Sequence, residues 1–249
     1  MLACSAILIN CALFNSSVLI ARLPATIPPS LGIIMLDTQF LRPFGDVGNP
    51  DSWPFPAIIE RVDGAFAQAV VSGTYAAVEP FIDAGQRLVE RGACAVTTTC
   101  GFLVRHQQVL EMALAVPVRT STLLNYNALQ QKLGESRRVA ILTIDKAALD
   151  STVRAAASIP DDALIFDLPV ESHFRRAILH SAFPLDPSTA EREWVNLAVS
   201  VLRAHPNVGQ WLFECANMPP YAGAVARATA LPVYDALAMG NALYRSVQP

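Results

Sequence analysis

The stretch Ala93-Cys94-Ala95-Val96-Thr97-Thr98-Thr99-Cys100-Gly101 decides the fold. It is a short run of small, β-branched and apolar residues that breaks at a cysteine and a glycine. A run of this length reads as a strand (93–99) buried on both faces, as parallel sheets require. Upstream, Phe81, Ile82, Gly85, Leu88 and Val89 fall at helical spacing within 79–91, and Gly92 is placed to stop that helix. Downstream, a helix runs from Gly101 to about position 115, a strand covers 117–121, and Thr122 can cap the helix that follows. Helices alternating with strands predict a parallel sheet with right-handed crossovers.

The same order recurs further along the chain. Residues 208–214 form a strand that ends at Cys215, a helix follows, and Pro232-Val233 opens the next strand. In both copies the proline of the Pro-Val pair lies 17 residues after the cysteine (Pro117 after Cys100, Pro232 after Cys215). Each Pro-Val strand leads into a helix carrying Asn-Ala-Leu, at Asn127-Ala128-Leu129 and Asn241-Ala242-Leu243. Gly32 to Asp37 is also like Val139 to Ile144, each within the first strand of its half, 31–36 and 138–144. Between these lie strands at 57–62 and 163–168 and helices at 146–157, 172–181, 189–204 and 236–246. The chain therefore reads as two copies of one α/β unit. The expected division is a leader and linker in 1–30, a first lobe from 31–122 with 236–249 that carries Cys100, and a second lobe, 123–235, that carries Cys215.

Ligands of parallel α/β sheets bind at the carboxyl ends of the strands, and both cysteines sit there. A thiol at a helix N-terminus is expected to ionise more easily than its free value of about 8.5. Two such thiols on opposite faces of one cleft can remove a proton from carbon and return one from the other side. Cys94, inside a strand, is read as packing only.

Composition narrows the classes. Of 249 residues, 53% are apolar and 16% charged, with a net charge of −3. The charged share is below the roughly 25% of average soluble proteins, as fits strands covered on both faces. No basic stripe is present, so a nucleic-acid partner is not expected. The five cysteines (Cys4, Cys11, Cys94, Cys100, Cys215) are odd in number and lack zinc or redox-pair spacing. Reduced thiols in the cytoplasm are the expectation. His106, His173, His180 and His205 show no metal-ligand pattern, so no metal is expected. Residues 2–21 are uncharged and largely apolar, but no Lys or Arg precedes them and Asn10, Asn15, Ser16 and Ser17 interrupt them, so a leader outside the fold is favoured over a signal peptide or membrane anchor, and no stable membrane partner is expected. The Gly/Pro-rich loop 42–56 is a candidate lid.

Thr97-Thr98-Thr99-Cys100-Gly101-Phe102-Leu103 and Glu214-Cys215-Ala216-Asn217-Met218-Pro219-Pro220-Tyr221 resemble the two cysteine motifs of the aspartate/glutamate/hydantoin racemase superfamily, and Gly32-Ile33-Ile34-Met35-Leu36-Asp37-Thr38 resembles its first strand and loop. The resemblance implies two Rossmann-like (flavodoxin-like) lobes related by pseudo-twofold symmetry, with the active site in the cleft between them. It implies a homodimer and a cofactor-independent isomerase, a racemase or epimerase of an amino acid or related small carboxylate, with Cys100 and Cys215 as acid and base. By position, Asp37 and Thr38 match residues that touch substrate or orient the first thiol. Thr99, Gly101, Ala216 and Asn217 match loops whose amides hold the substrate carboxylate, and Ser121, Thr122 and Thr143 match hydroxyls that line the cleft.

The motifs also depart from the common pattern. Gly101-Phe102 follows the first cysteine where many amino-acid racemases have Asn-Thr, and Ala216-Asn217 follows the second where many have Thr-His. Phe102, Met218 and Pro219 point to a more apolar pocket rim and a bulkier or less charged acid. Glu214 is either a group that polarises the site or one that pairs with a surface arginine. A cis–trans isomerase of the maleate type, a decarboxylase, and a non-catalytic carboxylate-binding module remain open on the same fold.

Overall fold

The computed structural model describes residues 29–180 and 184–248. Of the leader and linker expected over 1–30, positions 1–28, with Cys4 and Cys11, lie outside them, whereas Ser30 already belongs to the first strand and the Pro29 carbonyl accepts from the Tyr244 hydroxyl at 2.9 Å, so the fold begins before 31. The first sheet holds β1 (Ser30–Leu36), β2 (Ala57–Val62), β3 (Ala93–Thr98) and β4 (Val118–Arg119) in the order β2-β1-β3-β4. The second holds β5 (Arg138–Thr143), β6 (Leu164–Asp167), β7 (Val208–Phe213) and β8 (Val233–Tyr234) in the order β6-β5-β7-β8. All pairings are parallel, and the two orders are the same order. The protein is α/β with two matching sheets, as the repeat predicts.

The helices are α1 (Ala67–Val71), α2 (Glu79–Glu90), α3 (Gln107–Ala113), α4 (Tyr126–Leu133), α5 (Ser151–Ala156), α6 (His173–His180), α7 (Pro187–Ala204), α8 (Pro219–Thr229) and α9 (Ala236–Ser246). Gly92 has φ +94°, the left-handed turn that ends α2. The last helix, α9, returns to pack on β1, β3 and β4 of the first sheet. Gly240 allows that return: a Cβ there would come within 2.6 Å of the Trp53 ring. In the second lobe Trp194 of α7 meets Phe174 of α6 edge-on at 5.2 Å, and both side chains are fully buried. Full burial of one such side chain contributes about 1.5–3 kcal/mol. Among the described residues no helix is long and apolar enough to cross a membrane.

Several elements differ from expectation, each for a local reason. The strand expected over 117–121 pairs only at Val118 and Arg119, because the Gln107 side chain takes over beyond them. Its Oε1 accepts from both the backbone N–H and the hydroxyl of Thr120, at 2.9 and 2.6 Å. Thr122 does not cap the next turn. Ser121 does, accepting from the Leu123 N–H at 3.2 Å. The helix expected over 146–157 starts later, at Ser151, because Asp150 accepts from the Val153 N–H at 2.9 Å and sets the N-terminus there. The helix after Cys100 begins as a 3₁₀ turn over Gly101–His106 before α3. The loop 42–56 is a packed wall rather than a lid: Asp46 and Val47 are fully buried, and the Trp53 indole N–H donates to the Val47 carbonyl at 3.1 Å.

Candidate functional site

Register brings the two cysteines to equivalent places. Thr99 N–H donates to the Ile34 carbonyl at 3.0 Å, and Glu214 N–H donates to the Leu142 carbonyl at 2.9 Å. Each bond extends a sheet one residue past its strand, and the next residue is the cysteine, where the chain turns away. Thr99 and Glu214 are therefore counterparts, as are Cys100 and Cys215. Phe102 and Leu103 anchor the first turn by complete burial. Pro219 at the first position of α8 ends the turn after Cys215.

Both thiols line one cavity between the lobes, partly open to solvent. The first lobe contributes Leu36, Ala67, Val71 and Phe102, and the second contributes Ile144, Ile178 and Leu179. The polar members are Thr38, Arg42, Thr99, Glu214 and Asn217, with Gly101 between the two motifs.

The structure does not bring every expected site residue to this cavity. Thr38, Thr99, Gly101 and Asn217 join the two thiols there. Asp37 lines an adjacent, more open hollow with Gln39, Phe66 and His180, accepts from the Gly64 N–H at 2.9 Å and faces Arg61 at 3.7 Å. Ser121 is occupied as a cap, and the Thr122 hydroxyl donates to the Phe213 carbonyl at 2.8 Å, tying one lobe to the other. Thr143 acts through Glu214, donating to its Oε2 at 2.9 Å. Ala216 packs in the first lobe's smaller apolar cluster, and its carbonyl accepts from the Val47 N–H at 3.4 Å. Phe102 is at the cavity as the apolar-rim reading requires, whereas Met218 and Pro219 are buried away from it. His106 stacks on Phe81 at 6.2 Å.

Asp46 and Arg42 were not legible as site residues. The fully buried Asp46 accepts from Arg42 Nη1 at 2.7 Å and from Asn217 Nδ2 at 2.7 Å. The second bond fixes the amide so that Asn217 Oδ1 faces Cys215, whose Sγ donates to it at 3.6 Å. A carboxylate can only accept, so the orientation of the amide follows from its partner. Arg42 also donates to Thr38 Oγ1 at 2.7 Å and lies over the Phe40 ring. The one sequence signal was an acidic residue inside a Gly-rich loop, and nothing local ties it to a residue 171 positions away.

The expected easy ionisation of the thiols is overturned. Burial and the neighbouring Glu214 push the Cys100 thiol up to about 12, although the Phe102 and Leu103 amides and Arg105 oppose the shift. Cys215 is raised well above its ordinary value, by burial, then by Glu214, Cys100 and Asp46, with the Asn217 amide opposing. Helix-end dipoles are too weak to offset removal from water. Glu214 itself is buried, and desolvation pushes its carboxyl up to about 7 against the Thr143 and Ile144 hydrogen bonds.

That shift predicts a stability effect. The carboxyl binds its proton more tightly in the folded chain, so folding is favoured at low pH. The advantage is lost as pH rises from the ordinary carboxylate value of 4.5 through about 7. Glu214→Gln should remove this dependence. Relative to the unmodified protein, the variant should gain about 3 kcal/mol between the acid and alkaline ends of the window, read by urea unfolding at each end. Equal pH dependence in both proteins would contradict the buried carboxyl.

No protein-family profile matches the sequence. The chain is similar to a dimethylsulfoniopropionate lyase of Durusdinium sp. clade D, 29% identical over 223 residues that cover 87% of this chain and 74% of that protein. It is 27% identical to dimethylsulfoniopropionate lyase 3 of Emiliania huxleyi over 237 residues, covering 91% of this chain but only 62% of that protein, less than two thirds of its length. Among solved structures, arylmalonate decarboxylase superposes with a TM-score of 0.57 at 20% identity, covering 88% of this chain and 92% of that one. Picrophilus torridus aspartate racemase gives 0.55 at 14% identity, covering 88% and 94%. Two parallel sheets of one strand order are the fold that this chain shares with arylmalonate decarboxylase and aspartate racemase alike.

Proposed function

We propose that the protein is a cofactor-independent lyase that eliminates a sulfonium group from the β-carbon of a small carboxylate of the dimethylsulfoniopropionate type. The observation that carries this reading is the shared cavity, where two thiols and a buried carboxylate sit among apolar walls. The similarity to proteins named dimethylsulfoniopropionate lyase supports the choice of substrate.

In this chemistry a Cys100 thiolate takes the proton α to the carboxylate. The C–H pair becomes the C=C bond, and the C–S bond breaks with its electrons going to sulfur. Dimethyl sulfide leaves neutral and needs no proton, and acrylate remains. Cys100 is the base because amides and Arg105 favour its thiolate. Cys215 is held as a thiol by Asn217. Arg42 and Thr38 are placed to receive the substrate carboxylate. Arg42 is already balanced by Asp46, so the sulfonium faces apolar walls and the remaining acid, Glu214.

A racemase or epimerase is the second reading, favoured by the presence of the second thiol, which an elimination does not require. One experiment separates them. Purified protein is incubated with dimethylsulfoniopropionate, and with a panel of chiral amino acids and hydantoins, in deuterated water. Acrylate and dimethyl sulfide released from the first support the lyase. Exchange at the α-carbon with inversion in the panel, and no acrylate, would replace it with the racemase.

A further inference from the structure

Oε1 of Glu214 is the one buried side-chain polar atom of the cavity left without a hydrogen-bond partner among the described residues. Oε2 accepts from the Thr143 hydroxyl at 2.9 Å. Besides burial, the groups that act on the carboxyl are Thr143, the Ile144 N–H and the like charge of Asp145, and none is a cation. An ionised carboxylate enclosed in this way is costly unless an opposite charge meets it. The repeat shows that the fold does not need an acid here. At the equivalent position the first lobe has Thr99, whose hydroxyl accepts from the Leu36 N–H at 3.1 Å, and Glu214 receives the corresponding Ile144 N–H. Against Oε1 stands Gly101, where any side chain would run into the oxygen. The second lobe alone adds an acid, and the first lobe leaves it uncovered.

The missing cation has to come with the ligand, because Arg42 is already paired with Asp46 at 2.7 Å. The rest of the lining is apolar, with Leu36, Val71, Phe102, Ile144, Ile178 and Leu179. A primary ammonium carries three N–H donors, which one unpartnered side-chain acceptor does not satisfy. A methylated onium carries none. Its methyl groups suit apolar walls, and its charge needs only a carboxylate nearby. We propose that Glu214 selects ligands that carry a methylated onium group, sulfonium or quaternary ammonium, and gives its proton to solvent when such a ligand binds. The role rests on the sulfonium substrate proposed above, and it adds the pH dependence of binding. In the empty cavity burial pushes the carboxyl up to about 7. A cation beside it favours the ionised form, so the carboxyl titrates lower in the complex. Affinity therefore rises with pH up to about 7 and then levels off. Both thiols, raised by burial, stay protonated over this range. A bound cation also offsets the carboxylate charge that opposes a Cys100 thiolate. The other ionisable groups around the carboxyl are Cys100 and Arg105 from the loop after β3, Asp145 after β5, Cys215 beside it, and the Arg42–Asp46 pair from the loop 42–56.

The test reads binding rather than turnover. 3-(Trimethylammonio)propionate keeps the carboxylate and the onium but has a poorer leaving group. 4,4-Dimethylpentanoate replaces the cation with an uncharged tert-butyl group of the same shape, and 3-aminopropionate replaces it with an ammonium. Each is titrated calorimetrically into the full chain from about pH 6 to about 8.5, where all three carboxylates are ionised. Affinity for the trimethylammonio acid should rise roughly tenfold over the range, one pH unit of the carboxyl's titration being a factor of ten. Affinity for the tert-butyl acid should fall, because an ionised Glu214 gains nothing from it. In Glu214→Gln the rise should vanish, and at the alkaline end the trimethylammonio acid should bind about tenfold or more weakly while the tert-butyl acid does not weaken. Glu214→Thr, which copies the first lobe's own residue, should match it and guards against a folding defect peculiar to the amide. Variants that weaken both acids alike, an affinity for the trimethylammonio acid that is absent or does not rise with pH, or tighter binding of 3-aminopropionate would each overturn the proposal. Acrylate release is measured separately. Charge-selective binding without release would remove the lyase reading alone, and release with an unchanged KM in Glu214→Gln would remove the selecting role alone.

Discussion

Cys100→Ser is expected to lower acrylate release by about 10²–10⁴-fold, the usual worth of a positioned general base. A serine hydroxyl ionises far less readily than a thiol, so the base is lost while the shape is kept. The substitution is nearly isosteric at a site only 6% exposed, so the fold should be retained. Cys215→Ser is the informative companion. Dimethyl sulfide leaves without a proton, so elimination should survive this change with a smaller loss. Racemisation has no other donor for its second proton and should be abolished. Steady-state rates for the two variants, with circular dichroism to confirm folding, check both. Full activity in Cys100→Ser would end the proton-transfer scheme built on that thiol.

Gly101→Ala should be the most damaging single methyl in the cleft. The added Cβ would lie 2.5 Å from the Glu214 carbonyl oxygen and closer still to its carboxylate. The carbonyl belongs to the chain leaving β7, so relief requires the two lobes' cysteine loops to move apart rather than a side chain to rotate. Overpacking of this kind costs about 1–3 kcal/mol. The same movement separates the two loops that carry the thiols, so activity should fall more than stability explains. Thermal unfolding and steady-state kinetics read the two effects. Gly223, exposed on α8, where a Cβ meets only the flexible tip of the Arg227 side chain at 3.3 Å, is the control site for a glycine-to-alanine change without a backbone clash. An alanine at 101 that left both stability and rate unchanged would show that the loops do not approach as closely as described.

The site was only partly legible in the sequence. Cys100 and Cys215 stood out because a repeat is a pattern along the chain, and strand ends can be read from where β-branched runs stop. The roles of Ser121, Thr122 and Thr143 were not, because their hydroxyls are taken up by a cap, a link to Phe213 and a bond to Glu214, all set by packing. Arg42 and Asp46 were hidden for a related reason: Asp46 reaches Cys215 through Asn217, on the other lobe, and Arg42 is held at the cavity by its bond to Asp46.

What the sequence determined by itself is the architecture: two copies of one α/β unit, each with a thiol at the carboxyl end of its sheet. Alternation of strand and helix is local, and the 17-residue offset is arithmetic. Only the tertiary structure decided the chemistry of those thiols. Ionisation depends on how much water a group loses and which charges stand beside it, and both come from residues far apart in the chain. The sequence placed each thiol where a dipole favours ionisation. Folding then enclosed both with Glu214 and reversed the sign of the effect.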